Sequence, residues 1–113
     1  MLKIITIATF DKNAKKIAKR DKLLYKDLQK LFEILTDNPK EGIFLGNNCY
    51  KIRLQNSSSN RGKSGGYRVI SYYYDEETLG LLTIYSKSNR ENIFENEIDE
   101  LIVELAKKIN TTL

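Results

Sequence analysis

Residues 49–74 read CYKIRLQNSSSNRGKSGGYRVISYYY, and this stretch predicts two β-strands joined by a long polar loop. In the first strand the residue types alternate, which places Ile52 and Leu54 on one side of a sheet. Lys51 and Arg53 then face the opposite side, with their charged ends close together. The loop that follows is too rich in Ser, Asn and Gly to pack, and a second β-like run leads out of it. We therefore expect a strand–loop–strand unit that carries a cationic surface.

This unit is positively charged along its whole length. It contains no acidic residue, and its five cations are Lys51, Arg53, Arg61, Lys63 and Arg68. Over the whole chain, residues 1–74 contain 15 Lys and Arg against 6 Asp and Glu, whereas residues 75–113 contain 4 against 9. Cations confined to one sheet region, with aromatic residues among them, favour a phosphate-bearing ligand. The lysines of the N-terminal helices are interpreted instead as ordinary solvated surface.

The rest of the chain predicts a single α+β domain over residues 1–113. An initial strand leads into a helical hairpin, then into consecutive strands that imply an antiparallel sheet of about four to five strands, and finally into a C-terminal helix. The predicted elements are a strand at 2–8, helices at 10–19 and 21–37, a short edge strand or extended connector at 41–48, strands at 50–54, 67–74 and 79–86, and a final helix around 98–109. We expect the helices to cover one face of the sheet and to leave the face with Lys51 and Arg53 partly open.

Local signals set the expected helix boundaries. The second helix has an apolar stripe formed by Leu24, Leu28, Leu31 and Leu35, and Asp21 is its expected N-cap. Because the residue before a proline disfavours helical geometry, this helix should end before Asn38 and Pro39. Asn92 followed by Glu95 resembles a capping box and predicts the start of the C-terminal helix.

Two absences narrow the possible chemistry. The chain has no histidine and one cysteine, Cys49, so Ser–His and Cys–His nucleophile pairs are excluded and a zinc site is not expected. We expect neither a metal nor another cofactor. No apolar run approaches the roughly 20 residues of a membrane span, and the N-terminus lacks the features of a signal peptide. The expected location is the cytoplasm, which a lone cysteine also fits.

Lysine and arginine at one site can together support the cleavage of RNA. Arg68 enters from the neighbouring strand toward Lys51 and Arg53, and the loop cations can close over a ligand. Arginine offers a planar fork to phosphate oxygens, whereas a lysine crowded by other cations can act as a general base. RNA supplies its own nucleophile, the 2′-hydroxyl, so the enzyme needs none. Simple nucleic-acid binding, an acidic partner and ordinary solvated charge stay open as alternatives for these residues.

Three short motifs carry a family resemblance. Tyr50–Leu54 reads YKIRL, Gly66–Val69 reads GYRV, and Leu82–Ser88 reads LTIYSKS ahead of an acidic helix. Together they resemble the RelE/ParE superfamily of bacterial toxins, and most closely the RelE- and HigB-type toxins of type II toxin–antitoxin systems. The resemblance extends over nearly the whole chain. It implies a metal-independent endoribonuclease that cleaves mRNA in the ribosomal decoding site through the 2′-hydroxyl and thereby inhibits translation.

The resemblance also implies roles for individual residues. Lys51 and Arg53 match two basic strand positions, of which one serves as the base and both contact phosphate. Arg68 matches the arginine that contacts the scissile phosphate. Lys87 matches a basic position at the end of the last strand.

Two positions depart from the RelE pattern. Ser88 stands where RelE has an arginine, and Phe94 stands where RelE has a tyrosine. The loop after the YKIRL strand is also longer than in RelE, so we expect Arg61 and Lys63 to replace the missing cation in binding RNA. Tyr85 is the candidate for the missing hydroxyl.

The expected partners are mRNA, the ribosome and a cognate antitoxin, whose acidic and partly disordered segment would fold onto the basic surface. Two alternative functions stay open. One is a ParE-like toxin that inhibits DNA gyrase by binding alone, and the other is a nucleic-acid-binding module without toxicity. The combination of Lys51, Arg53 and Arg68 favours cleavage, because a gyrase inhibitor needs no site that cuts a phosphodiester.

Overall fold

A computed structural model describes residues 2–58 and 66–112, and this part of the chain contains three helices and five strands. In chain order the elements are β1 (Lys3–Thr6), α1 (Ala8–Ala18), α2 (Leu24–Asp37), β2 (Ile43–Gly46), β3 (Cys49–Leu54), β4 (Tyr67–Asp75), β5 (Thr78–Ser86) and α3 (Glu95–Thr112). The predicted α+β class is confirmed, with its N-terminal strand, helical hairpin, sheet and C-terminal helix.

The five strands form one mixed sheet in the order β1–β5–β4–β3–β2. The consecutive strands β2 to β5 pair antiparallel, as predicted, whereas β1 lies at the far edge and runs parallel to β5. β1 is short and pairs only with Thr78–Leu81. Among the described residues, the second half of β5 therefore has no strand on that side.

Helices pack on both faces of the sheet. On one face, the Tyr67 hydroxyl of β4 donates a hydrogen bond of 2.7 Å to Asp21, which lies between α1 and α2. On the other face, Gly80 of β5 lies against α3, and a Cβ atom at this glycine would be 2.5 Å from Cδ2 of Leu105. The helical hairpin and α3 thus enclose the sheet between them.

The strand register shows that α3 lies on the cationic face. Gly80, which contacts α3, pairs with Tyr72 on β4, and Tyr72 pairs with Cys49 on β3. Paired residues on neighbouring strands project to the same face of the sheet, so Cys49 also projects toward α3. Lys51 and Arg53 follow Cys49 at two-residue intervals and project to that side as well. The prediction that all helices cover the opposite face is therefore wrong for α3. The end of this face near Arg53 is open, since the Arg53 side chain is exposed.

The second helix follows its predicted pattern. Its apolar stripe is fully buried, with Leu24, Leu28, Leu31 and Leu35 all at most 3% exposed. It ends at Asp37, immediately before Asn38 and Pro39, as the proline rule predicts. No helix within residues 2–58 and 66–112 is both long and apolar enough to cross a membrane.

The two predicted helix caps are wrong. α2 begins at Leu24 with Leu23 in the N-cap position, and Asp21 lies too far upstream to cap it. The carboxylate of Asp21 accepts the Leu23 N–H and two side-chain hydroxyls instead. α3 begins at Glu95, so Asn92 lies two residues ahead of the N-cap position and the capping box does not form.

Candidate active site

Three side chains form a row across the end of the cationic face that lies near Arg53. Arg53 of β3 is directly opposite Arg68 of β4, and Arg68 is directly opposite Tyr85 of β5. Opposite residues in an antiparallel ladder have Cβ atoms about 5 Å apart. The fold therefore brings two of the predicted cations and the predicted hydroxyl into one line, which we name the Arg53–Arg68–Tyr85 row.

The two arginines differ in their accessibility. Arg68 is 4% exposed, and its Nη1 donates a hydrogen bond of 3.1 Å to the carbonyl oxygen of Tyr67. Arg53 is exposed at the open end of the face. Two guanidinium groups on directly opposite residues can donate hydrogen bonds to the oxygens of one anion. The pair is therefore suited to a phosphate.

Gly66 allows the two arginines to reach this register. A Cβ atom at Gly66 would clash with the carbonyl oxygen of Leu54, so the start of β4 can approach the end of β3 only if this residue is glycine. The Gly-Tyr-Arg sequence thus has a physical basis, because the glycine brings the arginine two residues later opposite Arg53.

Tyr85 has a buried hydroxyl. The side chain is 8% exposed, and its hydroxyl oxygen has no hydrogen-bond partner among the residues that the structure describes. Burial raises the pKa of Tyr85, while the neighbouring Arg90 and Arg68 act in the opposite direction. The phenol is therefore protonated at neutral pH and can donate a hydrogen bond. Since a buried polar group without a partner is costly, this hydroxyl is suited to a ligand.

Arg90 completes the surroundings of Tyr85, and the sequence analysis missed it. Its guanidinium carbon lies 5.3 Å from the centre of the Tyr85 ring. Its Nη2 and Nη1 donate to the two carboxylate oxygens of Glu97 at 2.8 and 3.2 Å, which raises the pKa of Arg90. Arg90 lies in an irregular segment after β5, so no periodic pattern could reveal its position. The only available signal was a cation placed between the LTIYSKS motif and the acidic helix.

The two predicted lysines lie on either side of the row and far from each other. Lys51 is half-buried, lies opposite Ile70, and lines a cavity of about 250 Å³ beside the first turns of α3. Lys87 follows β5, is exposed, and has its backbone N–H bonded to Gly66 at 3.2 Å. The register places the backbones of the two lysines about 13 Å apart along the strand direction. They are also two strand spacings apart across the sheet. One substrate phosphate therefore cannot contact both lysines while lying on the row.

The predicted loop cations Arg61 and Lys63 lie outside the described residues. The residues on either side of them are anchored on the hairpin. Ser57 donates its N–H and its hydroxyl to the Asp27 carboxylate, and Ser58 donates its hydroxyl to Asp21 at 2.6 Å. The base of the loop is thereby fixed against α2.

The Asp21 carboxylate is the centre of this anchor. Burial alone would raise the pKa of Asp21, but hydrogen bonds from Ser58, Tyr67 and the Leu23 N–H outweigh burial and lower it. The pKa of Tyr67 is raised, first by burial and then by its hydrogen bond to the Asp21 carboxylate. Tyr67 immediately precedes Arg68, so this anchor also fixes the backbone that presents the buried arginine.

The arrangement has the parts needed to bind and polarise a phosphodiester. Two guanidinium groups can hold the non-bridging oxygens, and a neutral phenol can donate to an oxygen that gains charge. Within residues 2–58 and 66–112, no group of three or more His, Cys, Asp or Glu side chains is placed to hold a metal ion.

Comparison with known proteins agrees with this architecture. A sequence model of the family described as "RelE toxin of RelE / RelB toxin-antitoxin system" matches residues 2–112. Among solved structures, the chain is similar to a free-state variant of the E. coli toxin RelE that carries two arginine-to-alanine substitutions. The identity is 18%, the match covers 94% of this chain and 95% of that chain, and the TM-score is 0.55. At this identity, the structural likeness shows the fold.

Proposed function

Because this chain belongs to the RelE family of toxins from toxin–antitoxin systems, we propose that it is a metal-independent endoribonuclease that cleaves mRNA on the ribosome and so inhibits translation. The Arg53–Arg68–Tyr85 row is the observation that carries this proposal. It places an exposed arginine, a buried arginine and a buried hydroxyl in one line, and the hydroxyl has no hydrogen-bond partner among the described residues. A protein that acts on translating ribosomes works in the cytoplasm.

In the proposed reaction, the 2′-hydroxyl of the substrate attacks the adjacent phosphorus. The 2′-hydroxyl loses its proton, the bond from phosphorus to the 5′-oxygen of the next nucleotide breaks, and the departing 5′-oxygen takes up a proton, which leaves a 2′,3′-cyclic phosphate and a 5′-hydroxyl. The protein has to hold the phosphate, accept the proton of the 2′-hydroxyl and stabilise the charge that builds up on the phosphate oxygens.

Arg68 and Arg53 bind the scissile phosphate. Arg68 is buried and held by the Tyr67 carbonyl, so its guanidinium is positioned before the substrate arrives, which avoids an entropic cost in the transition state. Arg53 is exposed and closes on the phosphate from the solvent side.

Tyr85 is the proposed hydrogen-bond donor, and Lys51 is the proposed general base. The raised pKa of Tyr85 keeps its hydroxyl protonated, so it donates a hydrogen bond to the phosphate or to the departing 5′-oxygen. Lys51 projects from the same face two residues before Arg53 on β3, and in the proposed reaction it is the general base that accepts the proton of the 2′-hydroxyl. Lys87, beyond the other side of the row, contacts a neighbouring phosphate. Arg61 and Lys63 contact the RNA from the loop.

Family membership implies an antitoxin partner. We further propose that the inhibitory segment of the antitoxin is acidic and partly disordered when free, because the surface that it must neutralise is cationic. It would bind the open end of the face, where the exposed Arg53 is most accessible.

The test is to map mRNA 5′ ends in a translation extract containing the wild type, Arg68→Lys or Tyr85→Phe. We expect new ends inside translated codons with the wild type, and a loss of at least 100-fold with Arg68→Lys, since lysine cannot offer the planar fork. Circular dichroism and thermal melting confirm that each variant is folded. Intact mRNA accompanied by DNA breaks would point to gyrase, and intact mRNA with unaffected growth would remove the toxin function.

A further inference from the structure

The surface of the helical hairpin is more cationic than its sequence suggests. Residues 12–30 contain eight Lys and Arg side chains, and all of them are exposed: Lys12, Lys15, Lys16, Lys19, Arg20, Lys22, Lys26 and Lys30. The two acidic residues in this segment, Asp21 and Asp27, are each 4% exposed and are hydrogen-bonded to the loop base. Burial of both carboxylates leaves no acidic side chain on the surface of this segment.

Some of these cations face the candidate active site across a cleft. The cleft has a volume of about 230 Å³ and separates α1 from the end of β5 and the segment after it. Lys16 and Arg20 line it on the α1 side, and Tyr85 and Arg90 line it on the other side. We name it the α1–β5 cleft.

The cleft exists because β1 is short. β1 pairs only with Thr78–Leu81, so α1 lies along the second half of β5 in place of a strand. A hydrogen bond of 2.9 Å from the Asn13 amide to the Thr83 hydroxyl joins α1 to β5 within the cleft. This bond holds the backbone of α1, which carries Lys16, against β5.

We propose that the α1–β5 cleft is a second phosphate subsite, in which Lys16, Arg20 and Arg90 hold the sugar–phosphate backbone of RNA beside the cleavage site. This inference extends the proposed function, and it rests on that function for the nature of the ligand. The same backbone chemistry occurs in mRNA and in ribosomal RNA.

The charges around the cleft support an anionic ligand. Its three cations are accompanied by one carboxylate, Glu97, which is already paired with Arg90. Arg90 uses three of its five N–H groups for Glu97 and for the Asn92 carbonyl, so two remain for a ligand. Lys16 lies in the last turn of α1 and Arg20 lies two residues after the helix ends, and both line the cleft.

Tyr85 supplies an independent indication of a ligand. It lines the cleft, is more than nine-tenths buried, and has a hydroxyl without a partner among the described residues. Its ring also faces Arg90. A strand of RNA that passes from the Arg53–Arg68–Tyr85 row into the cleft would satisfy this hydroxyl at the junction between the two subsites.

The first measurement is the binding of a 12-nucleotide RNA, 2′-O-methylated throughout so that it cannot be cleaved, to the purified full-length chain over a series of salt concentrations. The variant is Lys16→Gln with Arg20→Gln. The matched control is Lys22→Gln with Lys26→Gln, which removes the same charge from exposed positions outside the cleft. Each phosphate contact to single-stranded nucleic acid contributes about 0.7 to the slope of log Kobs against log salt. We expect the slope to fall by about 1.4 in the cleft variant and to stay unchanged in the control.

The second measurement is co-sedimentation of the same proteins with 70S ribosomes that contain no mRNA. Weaker oligonucleotide binding by the cleft variant would assign the subsite to the mRNA strand. Weaker ribosome binding with unchanged oligonucleotide binding would assign it to ribosomal RNA. Equal losses in the cleft variant and the control, or no loss in either measurement, would overturn the proposal. Loss of antitoxin binding with both RNA measurements unchanged would also overturn it, since the occupant would then be a protein.

These measurements are independent of catalysis. If the wild type fails to cleave mRNA but the cleft variant alone loses RNA affinity, the proposed function fails and the subsite stands. If cleavage occurs normally and the cleft variant loses affinity neither for the oligonucleotide nor for the ribosome, the subsite fails and the proposed function stands.

Discussion

Tyr67 donates a hydrogen bond of 2.7 Å to Asp21, a residue 46 positions earlier in the chain. This contact ties the first residue of β4 to the junction of the helical hairpin. The same carboxylate accepts the hydroxyl of Ser58, which lies at the base of the cationic loop. One buried acid therefore holds both the base of the loop at Ser58 and the start of the strand that presents Arg68.

Removing this hydrogen bond should destabilise the protein. In Tyr67→Phe, the buried Asp21 carboxylate loses one of its donors, and hydrogen bonds to charged groups contribute about 2 kcal/mol. We expect a loss of about that size in the free energy of unfolding, measured by urea denaturation. Tyr25→Phe is the control, because Tyr25 is 57% exposed and the change should have no effect. Equal stability of the wild type and Tyr67→Phe would contradict the proposed anchor.

The anchor should also depend on pH. The pKa of Asp21 is lowered in the folded protein, so the unfolded chain takes up the proton first as pH falls. The stabilisation from Asp21 is fully present above its ordinary pKa of 3.8 and is lost as pH falls below that value toward the folded pKa. The difference in unfolding free energy between the wild type and Asp21→Asn should therefore be large at pH 7 and smaller at pH 3. A difference that is constant over this range would contradict the assignment.

The sequence could predict features that depend on residues close together in the chain, and it could not predict features that depend on residues far apart. Alternation in β3 and the leucine stripe of α2 are local patterns, and the elements that they predicted are present. The partners of Asp21 lie on β4 and on the loop, far away in sequence, so a local pattern suggested an N-cap where the fold makes a long-range anchor. The same limitation applies to Asn92, whose capping-box spacing did not decide where α3 begins.

For the candidate site, too, the sequence predicted the local features and missed those that depend on tertiary contacts. The strand alternation placed Lys51 and Arg53 on one face, and antiparallel pairing brought Arg68 to Arg53. Their exact register depends on Gly66 and on the tertiary contacts of Tyr67. Arg90 lies over Tyr85 only because an irregular segment folds back, and no periodicity encodes such a position. That α3 packs on the cationic face also could not be derived, since both faces of the sheet offer apolar residues.

Tyr85→Phe should increase the stability of the protein and decrease its cleavage activity. The Tyr85 hydroxyl is buried without a partner among the described residues, so its removal relieves a desolvation cost and should stabilise the protein by up to about 1 kcal/mol. Cleavage should fall about 100-fold, because a hydrogen-bond donor to the transition state is lost. Thermal denaturation and single-turnover cleavage on programmed ribosomes measure the two effects. Loss of both stability and activity would indicate that the hydroxyl has a structural role.

Cys49 should react slowly with thiol reagents while the protein is folded. The side chain is 1% exposed, and burial together with the nearby Asp99 carboxylate raises the pKa of the thiol to about 11. At pH 8 the reactive thiolate is therefore scarce as well as inaccessible. We expect disulfide exchange with Ellman's reagent to take place at the rate of local or global opening, and to become fast in 6 M guanidinium chloride. Fast labelling of the native protein would show that α3 does not cover this part of the sheet.

Phosphate should stabilise the protein through the two opposed arginines. Arg53 and Arg68 face each other across β3 and β4, and an anion that binds only the folded state adds a free energy of RT ln(1 + [L]/Kd), which is about 1.4 kcal/mol at a tenfold excess over Kd. We expect the melting temperature to rise with phosphate concentration at constant ionic strength. In Arg53→Gln this dependence should be much weaker, because one of the two opposed guanidinium groups is removed. Lys26→Gln removes one exposed positive charge elsewhere and should retain the phosphate dependence of the wild type. A phosphate effect of equal size in all three proteins would mean that the anion acts through general exclusion from the surface, and the arginine pair would then not be a phosphate site.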